Sequence, residues 1–414
     1  MSFDSLGLSR PLLRAVTESG FVEPTPVQAE VIPAILARND VLASAKTGSG
    51  KTAAFVLPLL ERLSATASQR PRRLRALVLV PTRELAAQIA DAVDDYGCHL
   101  GDRALKTALT VGGVSINSQM LFLRGGADIV VATPGRLLDL QLHNALDLDD
   151  LEILVLDEAD RLLSLGFAEE VARILLLVPP CQRLLFSATF PAAVKTLAAA
   201  ILRKPVRIEI EAGAALADVQ TNITQRAIEV DTGKRTTLLR HLLDAHGWRR
   251  VLVFVATRYA ADLVADKLRR AHISAASFHG DLSQSARLQA LADFKSAQTR
   301  VLVATDLSAR GIDISALPAV VNYDLPRSPV DYLHRIGRTG RAGELGMAVT
   351  FLTADSDAHF ALIEKRHRLV IVREVLPGFE RTEAATPKLD PHGGVKGKRK
   401  SKKDKLREAA KRPS

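Results

Sequence analysis

Residues 40–57, DVLASAKTGSGKTAAFVL, decide the fold of this 414-residue chain. The stretch begins with the short apolar run Asp40-Val-Leu-Ala43, continues through a glycine-rich loop and ends in the helix-forming Ala53-Ala-Phe-Val-Leu57. A strand, a glycine loop and a helix in this order are typical of a phosphate-binding unit in a parallel α/β sheet. The alternative is a flexible Gly/Ser loop without a ligand, which leaves the Gly-Lys-Thr at a helix start unexplained.

The residue types of the loop predict their tasks. Gly48 and Gly50 permit a tight turn that points backbone amides at phosphate oxygens, and the helix N-terminus adds positive potential. Lys51 is expected to meet the terminal phosphates, and Thr52 to ligate Mg²⁺. The predicted loop contacts to the nucleotide are Ala45, Lys46, Thr47, Gly48, Ser49, Gly50, Lys51 and Thr52.

Outward from this loop, short apolar runs alternate with longer amphipathic stretches to about residue 375. This alternation predicts parallel sheets covered by helices on both faces. Residues 77–83, LVLVPTR, resemble residues 252–258, LVFVATR, which indicates two copies of one α/β unit unless buried parallel strands simply look alike. We predict an N-terminal α/β domain over 1–208, a linker over 209–222, a second α/β domain over 223–378 and a basic disordered tail over 379–414.

The charge of the chain is concentrated at its end. The net charge is +10, and the last 34 residues carry twelve basic and four acidic groups, which leaves the rest near +2. A body this close to neutral binds a polyanion through a local patch rather than through its general field. The two cysteines, Cys98 and Cys181, exclude a disulfide framework and a cysteine zinc site. With no apolar run long enough for a membrane span and no signal peptide, a cytoplasmic location without membrane partners is expected.

Two adjacent carboxylates follow the apolar run of residues 153–156 in Asp157-Glu-Ala-Asp160. They lie at the carboxyl end of a predicted strand, where α/β sheets bind their ligands. Asp157 is suited to hold Mg²⁺, and Glu158 to orient or deprotonate the attacking water in phosphoryl transfer. An acidic turn that caps the next helix is the alternative, and it is plausible for Asp160.

Three arginines and a histidine stand together in His334-Arg-Ile-Gly-Arg-Thr-Gly-Arg341. Such a cluster predicts an anion, and Arg338 and Arg341 are the expected arginine fingers for the transferring phosphate. Hydrolysis would then depend on closure of the two halves. A structural cluster of salt bridges is the alternative.

These motifs together resemble the DEAD-box RNA helicases of superfamily 2, over residues 3 to about 353. In order along the chain stand residues 20–28 (GFVEPTPVQ, similar to the Q motif), the phosphate loop, 81–85 (PTREL), 112–113 (GG), 133–136 (TPGR), 157–160 (DEAD), 187–189 (SAT), 253–255 (VFV), 284–287 (QSAR), 304–313 (ATDLSARGID) and the arginine cluster. Lys46 departs from the Gln usual in the family. The opening MSFDSLGL and the lack of a large C-terminal module resemble the bacterial RhlE-type subgroup.

The resemblance implies that the two α/β domains are an N-terminal RecA-like ATP-binding domain and a C-terminal RecA-like domain, and it implies roles for further residues. Gln28 would read the adenine edge and Phe21 would stack on the base, with Thr25, Gly311 and Asp313 completing the nucleotide contacts; alternatively, Phe21 is a core residue and Gln28 a helix surface residue. Ser187, Thr189 and His334 would couple the nucleotide site to the RNA site. The implied RNA contacts are Pro81, Thr82, Arg83, Gly113, Thr133, Arg136, Thr257, Arg258, Gly280, Thr305 and Arg310.

The implied function is that of an ATP-dependent RNA helicase that opens short duplexes locally, with ATP and Mg²⁺ as cofactors. Its core is expected to grip phosphates and sugars with little sequence specificity, and the tail to tether RNA unless it only solubilises the chain. Ribosome-assembly or RNA-decay proteins are possible partners. An ATP-gated RNA clamp without unwinding, a DNA helicase of the same superfamily and a binding pseudoenzyme are the alternatives.

Overall fold

Apolar runs predicted as strands form two seven-stranded parallel sheets in a computed structural model of the chain. The structure describes residues 2–44, 49–66, 71–209, 222–309, 314, 317–340 and 345–384. Several predicted positions lie outside these residues: Ala45–Gly48, Arg310, Gly311, Asp313, Arg341, most of the predicted linker and most of the predicted tail.

The first sheet has the strand order β3-β4-β2-β5-β6-β1-β7. Because all its neighbours are parallel, each strand must be joined to the next by a crossover, and helices make most of these connections. Its strands are β1 (Val41–Ser44), β2 (Ala76–Leu79), β3 (Thr107–Thr110), β4 (Ile129–Ala132), β5 (Ile153–Leu156), β6 (Gln182–Ser187) and β7 (Val206–Glu209).

Nine α-helices are described in this part of the chain, with short 3₁₀-helices at Phe3–Leu6 and Cys98–Arg103. The helices are α1 (Arg10–Glu18), α2 (Pro26–Leu36), α3 (Lys51–Ser64), α4 (Arg83–Gly97), α5 (Ile116–Leu123), α6 (Pro134–Leu142), α7 (Ala159–Ser164), α8 (Ala168–Leu177) and α9 (Ala192–Ile201).

Apolar layers cover both faces of the first sheet. Successive side chains of a strand point to opposite faces, so Ile153 and Val155 of β5 join one layer while Leu154 and Leu156 join the other. The central strands β2, β4 and β5 are buried along their whole length. A sheet buried on both faces leaves its edge at the strand ends as the place for polar chemistry.

The second sheet has the order β10-β11-β9-β12-β13-β8-β14. Its strands are β8 (Ile223–Glu229), β9 (Val251–Val255), β10 (Ala275–Phe278), β11 (Val301–Thr305), β12 (Ala319–Asn322), β13 (Gly346–Leu352) and β14 (Arg373–Glu374). The described helices between and after them are α10 (Arg235–His246), α11 (Arg258–Arg270), α12 (Gln284–Lys295), α13 (Asp306–Ala309), α14 (Pro329–Ile336) and α15 (Asp357–His367), with 3₁₀-helices at Thr232–Lys234 and Ala354–Ser356.

The two sheets are copies of one topology. Strand by strand, the order of the second sheet repeats that of the first, with β2 replaced by β9 and β4 by β11. The repeated sequence follows the same path in both: Thr82 after β2 and Thr257 after β9 each accept a hydrogen bond from a backbone amide of the helix they cap. The predicted duplication is confirmed, and the alternative that only strand composition is shared is wrong.

The chain divides into two compact units that each carry one sheet, and residues 278–295 and 305–309 group with the first unit. The predicted domain boundaries stay predictions, because residues 210–221 are outside the description. Among the described helices, none combines the length and the apolar character that a membrane span requires.

Residues 379–384, which we assigned to the disordered tail, contact the second unit. Phe379 packs against the core of that unit, and Arg381 pairs with Asp357 at 2.9 Å. The amides of Thr382 and Glu383 donate to the Asp231 carboxylate at 2.7 and 2.9 Å and lower its pKa. One aromatic ring and these polar contacts anchor the segment. Amino-acid composition does not reveal such contacts, because they depend on groups that are distant in the chain.

Candidate functional site

The phosphate loop, the acidic pair and the Ser-Ala-Thr turn of the first unit follow three neighbouring strands. The phosphate loop follows β1, the acidic pair follows β5, and Ser187-Ala-Thr189 begins at the end of β6. Strands β5, β6 and β1 are adjacent in the sheet and parallel, so their carboxyl ends meet at one edge. The tertiary structure therefore brings together segments that are more than 130 residues apart in the chain.

The described part of the phosphate loop leads into α3 as predicted. Gly50 precedes the helix with φ 87° and ψ 15°, a left-handed conformation that favours glycine. Lys51 is buried, and its Nζ lies 3.7 Å from Oδ1 of Asp157. The predicted phosphate lysine and the predicted metal ligand thus face each other.

The acidic pair is buried at the end of β5. Asp157 Oδ1 accepts a hydrogen bond from the Glu158 amide at 2.8 Å. Burial raises the pKa of the Glu158 carboxyl, while the positive charge of Arg161 opposes that rise. The Asp157 carboxylate and the Thr52 hydroxyl offer hard oxygen ligands. This set suits Mg²⁺, which proteins commonly hold through one or two carboxylates together with substrate phosphates and water.

Ser187 and Thr189 connect the end of β6 to the acidic segment. The Thr189 hydroxyl and amide donate to Asp160 Oδ2 at 2.6 and 3.1 Å, and the Asp160 amide donates to the Ser187 hydroxyl at 3.2 Å. These hydrogen bonds connect the Ser-Ala-Thr turn to Asp160, the last residue of the acidic segment. Asp160 also accepts from the Arg161 amide at 3.2 Å, but it lies within α7, whose N-cap is Glu158 and has no side-chain capping bond.

Gln28 links the predicted adenine-binding segment to the phosphate loop. Its Oε1 accepts the Thr25 amide at 2.9 Å, and its Nε2 donates to the Gly50 carbonyl at 3.2 Å. Gln28 is 1% exposed, so the alternative of a helix surface residue is wrong. Phe21 is half-buried against the core, with its ring centroid 6.3 Å from that of Phe3. Adenine recognition by these residues stays a prediction.

The predicted RNA residues of the first unit follow the other half of the sheet edge. Pro81, Thr82 and Arg83 follow β2, Gly113 follows β3, and Thr133 and Arg136 follow β4. These strands are neighbours in the order β3-β4-β2, and β2 pairs directly with β5 of the nucleotide half. The carboxyl edge is therefore divided into two adjoining polar surfaces.

The glycine pair lies against an arginine. Gly113 has φ +76°, and a Cβ built on it would lie 1.9 Å from Nη1 of Arg83. The chain must therefore have glycine here for Arg83 to keep its place. Arg136 donates from Nη1 to the Val114 carbonyl at 2.8 Å on the same loop.

Sequence reasoning missed Gln119, which holds this loop from α5. Its Nε2 donates to the Val111 carbonyl at 3.0 Å, and its Oε1 accepts a hydrogen bond from the Val111 backbone amide at 3.2 Å. Val111 directly precedes the glycine pair. No local pattern in the sequence could have found it, because the bond depends on how α5 packs on β3.

In the second unit, the arginine cluster separates into different environments. Arg335 is fully buried and donates from Nη1 to Asn322 Oδ1 at 3.1 Å and to the Asp324 carbonyl at 2.6 Å. Hydrogen bonds therefore hold Arg335 in the core of the second unit. Arg338 is 5% exposed on the segment after α14, and its predicted role stays a prediction.

Most of the remaining predicted residues of the C-terminal half that the structure describes lie at strand ends. Thr257 and Arg258 follow β9, Gly280 follows β10, and Thr305 ends β11 with its hydroxyl 2.8 Å from that of Ser308. His334 lies in the last turn of α14. The strands β9, β10 and β11 take the places of β2, β3 and β4 in the sheet order, so the candidates follow corresponding strands in both sheets.

Comparisons with known proteins agree with this arrangement. Residues 25–197 match the DEAD/DEAH box helicase family, and residues 233–343 match the helicase conserved C-terminal domain. The DEAD-box ATP-dependent RNA helicase CshA of Bacillus subtilis is 39% identical over 366 residues, which is 88% of this chain and 72% of CshA. This chain belongs to the DEAD-box ATP-dependent RNA helicases.

Other relatives of this DEAD-box protein lead to the same family. The helicase RhpA of Helicobacter pylori is 40% identical over 85% of this chain and 70% of its own length. The structure of Dbp5 of S. cerevisiae bound to RNA and ADP BeF3 superimposes with a TM-score of 0.77 at 31% identity, covering 90% of this chain and 95% of that one. The resemblance to the RhlE-type subgroup stays a prediction.

Proposed function

We propose that this DEAD-box protein uses ATP hydrolysis to separate short RNA duplexes locally. The observation that carries the proposal is the division of one sheet edge: the nucleotide candidates follow β5, β6 and β1, and the RNA candidates follow β2, β4 and β3. Because β2 and β5 are paired, the two groups of candidates adjoin along the sheet edge, and this proximity is proposed to couple the phosphate site to the RNA surface. The structure of Dbp5 with RNA and ADP BeF3 supports both ligands for this fold.

The chemistry follows from the buried charges of the first unit. Lys51 neutralises the terminal phosphates, and Glu158 orients the attacking water or accepts its proton. Thr52 and Asp157 would hold Mg²⁺, which would supply charge neutralisation on the phosphates. Arg338 and Arg341 of the second unit are proposed to stabilise the charge that develops on the transferred phosphoryl group, so hydrolysis requires both units.

RNA binding is proposed to rest on the sugar-phosphate backbone. The candidates are hydroxyls, glycine amides and guanidinium groups, which contact phosphates and sugars and carry no base readout. The chain has 13 Phe, 4 Tyr and 1 Trp, so stacking platforms for bases are scarce and low sequence specificity follows. The basic tail acts as an auxiliary tether, and a cytoplasmic location with ribosome-assembly or RNA-decay partners stays a prediction of the sequence.

A strand-displacement assay tests the proposal. The full chain, ATP and a duplex short enough to dissociate after local opening are expected to give ATP-dependent release of one strand. Glu158→Gln is expected to bind ATP and RNA but not to turn over. Tight ATP-dependent RNA binding without strand release would favour the clamp instead, and equal ATPase stimulation by DNA of the same length would favour a DNA helicase.

A further inference from the structure

Arg161 is a buried charge next to the acidic segment that the proposed chemistry leaves without a task. It lies in the first turn of α7, directly after Asp160, and is 6% exposed. A guanidinium is rarely buried to this degree unless it is paired, because the loss of hydration costs several kcal/mol. Its partner is therefore the first thing to establish.

The partner is the carboxylate of Glu158. Arg161 Nε lies 3.5 Å from Glu158 Oε2, and both side chains are more than nine-tenths buried. Within the described ranges, no other basic side chain lies within ion-pair distance of this carboxylate. Glu158 is the N-cap residue of α7 and Arg161 lies in the first turn of that helix, so the two side chains are close in the chain as well as in space.

The pair is not saturated by hydrogen bonds. Glu158 Oε2 and Arg161 Nη1 are both buried and have no hydrogen-bond partner among the described residues. Buried polar atoms are nearly always satisfied, and unsatisfied ones concentrate where a site still has to receive a ligand or water. Glu158 Oε2 therefore faces the charge of Arg161 but is not satisfied by a hydrogen bond from it.

The backbone at Glu158 shows that its orientation is imposed. Its φ of 51° and ψ of 50° are left-handed, which costs a residue with a side chain about 1–2 kcal/mol. The hydrogen bond from its amide to Asp157 fixes the backbone, but it leaves the side chain free to rotate. Holding the carboxylate itself requires a second contact, and Arg161 supplies it.

We infer that Arg161 is a positioning residue that fixes the Glu158 carboxylate for the attacking water. Removing its guanidinium leaves a buried carboxylate without its cation, so the side chain reorients toward the nearest donors. Misplacement of a catalytic group by about 1 Å can lower the rate by about 100-fold. Substrate affinity is expected to stay the same, because Arg161 is not among the proposed substrate contacts. This inference rests on the proposed role of Glu158 in hydrolysis.

Two substitutions in the full chain test it. Arg161→Gln removes the charge, and Arg161→Lys keeps it on a shorter, single-headed group. We expect Arg161→Gln to lower the RNA-stimulated kcat by about 10- to 100-fold, with KM for ATP and RNA affinity unchanged. Arg161→Lys is expected to recover part of this loss. A residue that only supported the fold would instead change kcat, KM and the melting temperature together.

The matched control is Arg14→Gln. Arg14 also pairs with a glutamate on its own helix, Glu18 at 2.7 Å, but its side chain is 70% exposed and far from the acidic segment in sequence. The kcat of the Arg14→Gln variant is expected to equal that of the wild type. Thermal unfolding of all variants measures how much of any effect is loss of folded protein.

Specific outcomes would overturn the inference. An unchanged kcat in Arg161→Gln would do so, and so would a Lys variant that is as slow as the Gln variant and equally destabilised. Glu158→Gln is measured in parallel. Normal turnover in that variant would remove the proposed role of Glu158 itself, whereas an inactive Glu158→Gln beside a fully active Arg161→Gln would remove only the positioning role.

Discussion

Replacing Gly113 by alanine should separate RNA binding from folding. A Cβ at this position would lie 1.9 Å from Nη1 and 2.4 Å from Cζ of Arg83. Since carbon atoms in contact are about 3.5–4.0 Å apart, the guanidinium must move by roughly 1.5 Å. The colliding atoms are the far end of a flexible side chain, so they can move away without disturbing the backbone.

The expected magnitudes differ for the two properties. Alanine at φ +76° costs about 1–2 kcal/mol, reduced by the lower entropy of its unfolded chain, so the free energy of unfolding falls by about 1 kcal/mol. Loss of one hydrogen bond from a charged donor to an RNA phosphate costs about 1.5–3 kcal/mol. RNA affinity should therefore fall by about 10- to 100-fold while the protein stays folded.

Gly112→Ala is the matched control, because its Cβ would lie 3.7 Å from Arg83 Nη2, an ordinary contact, and its φ is not left-handed. Fluorescence anisotropy with a labelled single-stranded RNA measures affinity, and thermal unfolding measures stability. The double variant with Arg83→Ala should bind no more weakly than Arg83→Ala alone. Equal RNA affinity in Gly113→Ala and Gly112→Ala would refute the reasoning.

Three further predictions concern the C-terminal half. Arg335→Met should lower the free energy of unfolding by about 3 kcal/mol, because the buried Asn322 oxygen and the part-buried Asp324 carbonyl lose their donor. A melting temperature equal to that of the wild type contradicts this. Arg341→Ala should abolish ATPase while nucleotide affinity measured by fluorescence titration is retained, and an unchanged hydrolysis rate would remove its assignment as a finger. Deleting residues 396–414 should weaken RNA binding and flatten its salt dependence by about 0.7 in log–log slope for each lost phosphate contact, whereas an unaltered slope means that the tail does not touch RNA.

Local patterns are sufficient for the elements and for much of the site. The run before Asp157 is apolar on both faces of a strand, which already places the acidic pair at a sheet edge. The predicted helix start at Lys51 is confirmed as well. It depends only on local features, namely a left-handed glycine followed by a helix-forming run. Sequence alone also indicated the duplication, through the repeated Thr-Arg that follows β2 and β9.

The tertiary structure decided which strands are neighbours and what each arginine does. The order β5-β6-β1 joins the phosphate loop to the acidic pair, and no local pattern encodes it, because parallel strands pair through crossovers of many residues. Arg335 and Arg338 belong to one motif, yet only packing against Asn322 and Asp324 assigns the former to the core. Arg161 and Gln119 show the same limit: the energy of a polar side chain depends on which groups surround it once it is buried, and burial is a property of the whole fold.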